Sequence, residues 1–103
     1  MKIELLYFDG CPNWQKTLED IDAVLQENHM PVEIELVKVT SAEEAEHLAF
    51  PGSPTVRVDG VDIEPDAPTT GFGLASRIYS MEDETVGRPP KEWIAAALDA
   101  TMG

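Results

Sequence analysis

The sequence Phe8-Asp9-Gly10-Cys11-Pro12-Asn13-Trp14 lies between the first apolar run of the chain and its first helical pattern. Residues 3–8 are apolar except for Glu4. This apolar run predicts a strand that is covered on both faces and lies in the middle of a sheet. A helical pattern begins shortly after Cys11, the only cysteine of the chain. Cys11 is therefore predicted to lie where a strand passes into a helix.

Cys11 is the predicted N-cap of that helix. Pro12 has no N–H to lose and a preset φ, which suits the first helical position. Free N–H groups and the positive end of the helix dipole would then face the sulfur and favour thiolate over thiol. Position alone leaves two interpretations open, a reactive thiol or a small buried hydrophobe, since free cysteines often serve as the latter.

Length, charge and cysteine content narrow the class of protein. A chain of 103 residues has the length of one domain, spanning 1–103. One cysteine cannot form an internal disulfide, which excludes a disulfide-stabilised secreted scaffold. Twenty acidic against seven basic residues give a net charge of -13. Such a charge favours solubility and repels nucleic acid and anionic membrane, so neither is an expected partner.

Hydropathy predicts a cytosolic location. No apolar stretch approaches the roughly 18 residues of a membrane span. The first residues place Glu4 inside the first apolar run and lack a small-residue cleavage site, unlike a signal peptide.

The first half of the chain predicts alternating helices and strands. Apolar residues at helical spacing predict a helix over about 13–28, which Pro31 ends. Residues 32–39 begin with apolar residues alternating with glutamates, and charges on one face suit an edge strand. Ser41 and Glu44 form a capping box ahead of a short helix, which residues 51–54 break.

The second half predicts a hairpin, an insertion and a last helix. Asp59-Gly60 joins short strands over 55–59 and 61–64, and Pro65 and Pro68 stop the second of them. A loop at 69–73 follows; residues 76–81 fit either a short strand or a helical turn, and 82–87 are expected to be mobile. Pro89-Pro90 open the last helix. The predicted fold is α/β, β-α-β-α-β-β-α, with a four-stranded mixed sheet in the order 2-1-3-4.

This order, with Cys11 at the first strand-helix junction and Ser53-Pro54-Thr55 ahead of the third strand, resembles the thioredoxin-like fold. Residues 7–12 resemble the approach to that family's active site, and Pro54 matches its cis-proline. The resemblance covers residues 1–64 and the last helix, with 65–87 as an insertion. It implies a third strand antiparallel to the first, a cis Ser53-Pro54 bond, and Pro54 lying against Cys11.

The resemblance also implies site roles. Cys11 would be the attacking sulfur, and the Ser53 backbone would pair with an extended peptide or with glutathione. Pro12, Trp14, Ser53 and Pro54 are then the candidate substrate-binding residues.

The chain departs from the family at Trp14, where thioredoxins carry a second cysteine. A dithiol cycle within one molecule is therefore excluded, and exchange needs an external thiol, glutathione or a protein thiol. Lys2 and Lys16 are the only bases near the site by sequence. Lys16 is either a contact for a glutathione carboxylate or, more simply, a solvated side chain.

The sequence is also similar to small bacterial thioredoxin-like proteins related to alkylmercury lyases. Cleavage of a carbon-mercury bond by the true lyases uses two cysteines and a carboxylate, and only Cys11 with Asp9 is present here. A single thiolate would bind a soft metal weakly.

Other residues give weaker signals, and neither a metal site nor a cofactor is predicted. The acidic residues of the hairpin are interpreted as a solvated face in preference to a cation site. The two histidines have no partner at metal-ligand spacing, and the Gly-Phe-Gly at 71–73 lacks the context of a dinucleotide loop. The hairpin acids are Asp59, Asp62 and Glu64, and the histidines are His29 and His47.

Two functions stay open from the sequence. One is monothiol thiol-disulfide exchange at Cys11 with an external thiol. The other is a non-catalytic binding or scaffold domain that keeps the fold, with its partner surface elsewhere, such as the 65–87 insertion; Trp14 and the acidic charge favour this one. A dimer joined by a Cys11-Cys11 disulfide is a third alternative, and the oligomeric state is not predicted.

Overall fold

The central sheet contains four strands, β1 (Ile3–Tyr7), β2 (Ile34–Lys38), β3 (Thr55–Val58) and β4 (Val61–Asp62). Their order is β2-β1-β3-β4. Strand β1 pairs parallel with β2 and antiparallel with β3, and β3 pairs antiparallel with β4. The computed structural model describes residues 1–30, 32–64, 67, 71–80 and 84–102. The predicted α/β class and sheet order are confirmed.

Three helices cover the sheet: α1 (Trp14–Glu27), α2 (Ala42–His47) and α3 (Lys91–Met102). Ile3 and Leu5 of β1 share one buried cluster with residues of α1 and α3. Leu6 instead belongs to a second buried cluster with Ala45 of α2 and with Phe50. Strand β1 is thus covered on both faces, as its apolar run predicts.

Two local sequence signals, a capping box and a hairpin turn, are present in the structure. Ser41 Oγ accepts the Glu44 N–H at 3.1 Å, while the Glu44 carboxylate accepts the Thr40 N–H at 2.7 Å. The capping box is present, with its return bond one residue earlier than usual. At the hairpin, Asp59 and Gly60 both have positive φ, 50° and 84°, as a type I′ turn requires.

A second, two-stranded sheet was not predicted. Strands β5 (Tyr79–Ser80) and β6 (Thr85–Val86) pair antiparallel. Tyr79 and Ser80 thus follow the strand alternative left open for 76–81, and the stretch 82–87, expected to be mobile, contains the paired residues Thr85 and Val86. Strands of two residues carry no readable alternation, and Tyr79 is held by tertiary contacts instead, packing edge-on against Trp93 of α3 with ring centroids 6.0 Å apart.

Some predictions lie outside the described residues. These are the helix stop at Pro31, the strand stops at Pro65 and Pro68, and the parts of the predicted loops at 69–70 and 81–83. Within the described part of the chain, no helix combines the length and apolar character needed to span a bilayer.

Candidate functional site

Cys11 lies in the turn that follows β1. Its N–H donates to the Phe8 carbonyl at 3.3 Å, and Gly10 has a φ of +98°, the conformation that a type II turn requires at its third position. Helix α1 begins at Trp14 with Asn13 as N-cap. The prediction that Cys11 caps the helix is therefore wrong.

The helix starts later than Pro12 suggested because residues 12 and 13 form a further turn. The earliest helical bond in this region runs from the Thr17 N–H to the Asn13 carbonyl at 3.1 Å. Cys11 thus precedes the N-cap by two residues, and a helix terminus cannot be assigned to it as the source of thiolate stabilisation.

The thiol is free and buried, and residue Cys11 is only 4% exposed. Pro12, beside it, is exposed. The indole of Trp14 stacks on the phenol ring of Tyr7, with centroids 4.2 Å apart and planes 21° from parallel. The turn is thereby pinned to the end of β1 from the helix side.

A lysine that the sequence did not single out lies beside the turn. Strand register pairs Tyr7 with Lys38, and the Lys38 ammonium contacts the Asp9 carboxylate at 2.6 Å. The hydrogen bond and charge of Asp9 raise the pKa of Lys38. Lys2 and Lys16 are the only bases near the site by sequence, and parallel pairing adds Lys38 because it brings the end of β2 to the same place.

Lys16 has an ordinary surface position. Its ammonium lies 3.5 Å from Glu19 one turn along α1, and both side chains are mostly exposed. The solvated interpretation of Lys16 agrees with this geometry.

The Ser53-Pro54 bond is cis, as the resemblance implied. Both residues are buried. The register of β1 and β3 pairs Leu6 with Thr55, which sets the start of β3 beside the end of β1. The cysteine turn and the Ser53-Pro54 segment therefore lie at the same edge of the sheet.

Both backbone groups of Ser53 are bonded to another segment of the chain. The Ser53 N–H donates to the Ala75 carbonyl at 2.8 Å, and the Ser53 carbonyl accepts the Arg77 N–H at 2.9 Å. Residues 75–77, here called the strap, run parallel to Ser53. The backbone that the resemblance assigned to a substrate is thus occupied from within.

Gly52 makes this close approach feasible. Its φ is +135°, and a Cβ at this position would lie 3.0 Å from both the Ala75 carbonyl oxygen and the Arg77 Cβ. Only glycine combines that conformation with so little space.

Arg77 anchors the strap through its guanidinium, which is buried with 2% of its side chain exposed. One terminal nitrogen donates to Asp62 Oδ2 at 2.7 Å and to Thr55 Oγ1 at 3.0 Å. The other donates to Asp62 Oδ1 at 3.2 Å and to Glu64 Oε1 at 2.8 Å. Burial alone lowers the pKa of Arg77, but these carboxylates outweigh it and the net pKa is raised.

Tyr79 completes the anchor. Its hydroxyl donates to the Pro54 carbonyl, and the Arg77 guanidinium lies 4.5 Å from the centre of its ring. Burial raises the pKa of Tyr79 strongly, so the phenol stays protonated and remains a donor.

The interpretation of the hairpin acids as a solvated face is wrong for Asp62 and Glu64, whose side chains are 12% and 15% exposed. Their partner Arg77 is 13 to 15 residues away in sequence, beyond the reach of local spacing rules. Asp59 instead accepts the Lys2 N–H at 2.7 Å. Among the residues that the structure describes, no three His, Cys, Asp or Glu side chains are grouped as metal ligands.

Two polar atoms at the strap lack hydrogen-bond partners within the described residues. They are Ser53 Oγ and Arg77 Nε, both buried. The residues that carry them are joined by the bond from the Arg77 N–H to the Ser53 carbonyl, so the contact between the strap and Ser53 leaves polar atoms unsatisfied.

In comparisons with known proteins, no family model, no curated protein and no solved structure matches this chain. The fold and site define an α/β protein with one buried thiol at the same end of the sheet as a cis-proline segment that its own strap occupies.

Proposed function

We propose that this chain is a thioredoxin-like domain that binds an extended polypeptide segment at Ser53 and does not carry out thiol-disulfide exchange. The observation that carries the proposal is the strap itself. An extended segment already pairs with both backbone groups of Ser53, with bonds of 2.8 and 2.9 Å. Pairing of this kind is how exposed strand edges receive peptides.

The thioredoxin-like part of the proposal draws support from topology. Strand β1 lies parallel to β2 and antiparallel to β3, with the cysteine turn and Ser53-Pro54 at one edge. The resemblance of the sequence implies this arrangement, and it assigns the backbone before Pro54 to an extended substrate.

The burial of Cys11 and the lack of a second cysteine speak against thiol-disulfide exchange. A thiolate attacks a disulfide only when its sulfur is accessible, and residue Cys11 is 4% exposed. The chain has no second cysteine to resolve a mixed disulfide. The nearby ammonium of Lys38 is engaged by Asp9 at 2.6 Å.

Monothiol exchange is the second candidate, because the cysteine turn and Ser53-Pro54 share one sheet edge. In that case the Cys11 thiolate would attack a disulfide and expel one thiolate. An external thiol, glutathione or a protein thiol, would then attack the substrate sulfur of the mixed disulfide, which expels the Cys11 thiolate and leaves a disulfide between substrate and external thiol. A second external thiol would reduce that disulfide, so the substrate leaves as thiols and the two external thiols leave joined as a disulfide.

A comparison of the wild type with Cys11→Ser separates the two candidates. We expect equal rates of glutathione-dependent disulfide reduction, and much slower iodoacetamide alkylation of native protein than of protein unfolded in urea. The urea sample is the control for full thiol reactivity. A clear rate loss in Cys11→Ser, together with fast native alkylation, would replace the binding proposal with the exchange proposal.

A further inference from the structure

We infer that the site at Ser53 selects an arginine-bearing segment, and that the strap is a tethered form of this ligand. The inference rests on the proposed binding function and names its partner class. Two kinds of contact hold the strap in place. Its backbone pairs with Ser53, and its Arg77 guanidinium lies in an acidic pocket formed by Asp62 and Glu64.

The pocket matches a guanidinium in shape and charge. Asp62 accepts from both terminal nitrogens of Arg77, at 2.7 and 3.2 Å, which is the bidentate geometry of arginine. Glu64 and Thr55 accept the remaining bonds at 2.8 and 3.0 Å. A lysine ammonium cannot span these acceptors in the same way.

Charge favours a cationic partner once the strap leaves. Arg77 is the cation that Asp62 and Glu64 bind among the described residues, so its departure would leave two carboxylates in a largely buried pocket. The chain as a whole carries a net charge of -13, which attracts cationic segments.

The strap is an imperfect ligand for this site. Among the residues that the structure describes, Ser53 Oγ and Arg77 Nε have no hydrogen-bond partner. A partner segment that pairs with Ser53 Oγ, the one of these atoms that stays in the site, gains binding free energy that the strap does not have. The strap nevertheless competes at an effective concentration on the order of millimolar, because it belongs to the same chain.

The probe is a blocked peptide with the sequence of residues 73–80, Gly-Leu-Ala-Ser-Arg-Ile-Tyr-Ser, labelled with a fluorophore. Its matched control carries citrulline in place of arginine and so keeps the shape without the charge. The receptor is Arg77→Ala, in which the pocket is vacant. The acid-free control receptor is Arg77→Ala with Asp62→Asn and Glu64→Gln.

We expect fluorescence anisotropy to show binding of the arginine peptide to Arg77→Ala. Binding should weaken roughly tenfold or more with the citrulline peptide, with the acid-free receptor, or with the wild type. Equal affinity for both peptides would overturn the arginine inference and leave the binding function standing. Binding of neither peptide would overturn both. Because the peptide contains no cysteine, none of these results depends on exchange at Cys11.

A measurement on the wild type decides the matter if Arg77→Ala does not fold. With the arginine peptide at millimolar concentration, displacement of the strap should speed hydrogen exchange of the Arg77 amide. The Ser53 amide should stay protected, because the peptide replaces its acceptor. Unchanged exchange at both amides would contradict the inference.

Discussion

Replacing Arg77 by alanine should destabilise the fold through the carboxylates that it leaves behind. Removing one partner of a buried ion pair costs about 3–5 kcal/mol. The Arg77 side chain is 2% exposed, but Asp62 and Glu64 keep 12% and 15% exposure and so retain some hydration. We therefore expect a loss near the lower end, about 3 kcal/mol, from a typical total stability of about 5–15 kcal/mol.

Urea unfolding followed by circular dichroism measures this loss. Lys16→Ala is the matched control, since it removes a cation from an exposed pair 3.5 Å long. It should cost no more than about 0.5 kcal/mol. Arg77→Met combined with Asp62→Asn and Glu64→Gln should recover most of the loss, because no charge is then left unpaired. A loss below about 1 kcal/mol in Arg77→Ala would refute the buried anchor.

Three further substitutions, one of them with a matched control, test the close approach at Gly52, the hydroxyl of Tyr79 and the cap of α2. Gly52→Ala should lower the free energy of unfolding in urea by about 2 kcal/mol or more, since its Cβ would meet the strap at 3.0 Å. The control Gly60→Ala, which has positive φ but open space around it, should cost about 1 kcal/mol. Equal losses would contradict the close approach. Tyr79→Phe should cost about 1–2 kcal/mol at neutral pH. Because burial raises the folded-state pKa of Tyr79, the phenol contributes to stability below pH 10, and this contribution falls as the pH rises above 10. The difference in free energy of unfolding between wild type and Tyr79→Phe should therefore shrink by about 1.4 kcal/mol per pH unit above pH 10. A difference that does not change with pH would be the contrary result. Ser41→Ala should cost about 1 kcal/mol by loss of its cap bond to Glu44, and no change in the urea midpoint would argue against the cap.

The sheet was predictable because its signals are local. The apolar run of β1 indicates a strand covered on both faces, and its burial on both sides agrees. Glutamates alternating along β2 indicate an edge, and Asp59-Gly60 specifies a hairpin turn. Each of these patterns is read within fewer than ten residues.

The strap was not predictable because its bonds join distant parts of the chain. Ser53 pairs with Ala75 and Arg77, and the two short strands near it carry no periodicity. Arg77 bonds to hairpin acids that sequence reasoning assigned to solvent. The N-cap was misplaced for a related reason: Pro12 fits a helix start, but it fits a turn equally well.

The proposed function depends on the pairing of the strap with both backbone groups of Ser53. Amide hydrogen exchange by NMR on the wild-type protein without peptide tests it most directly. We predict that the Ser53 and Arg77 amides, bonded at 2.8 and 2.9 Å, are protected to about the same degree as the amides of β3. Hydrogen exchange of either amide at the rate of an exposed loop would contradict the pairing between the strap and Ser53.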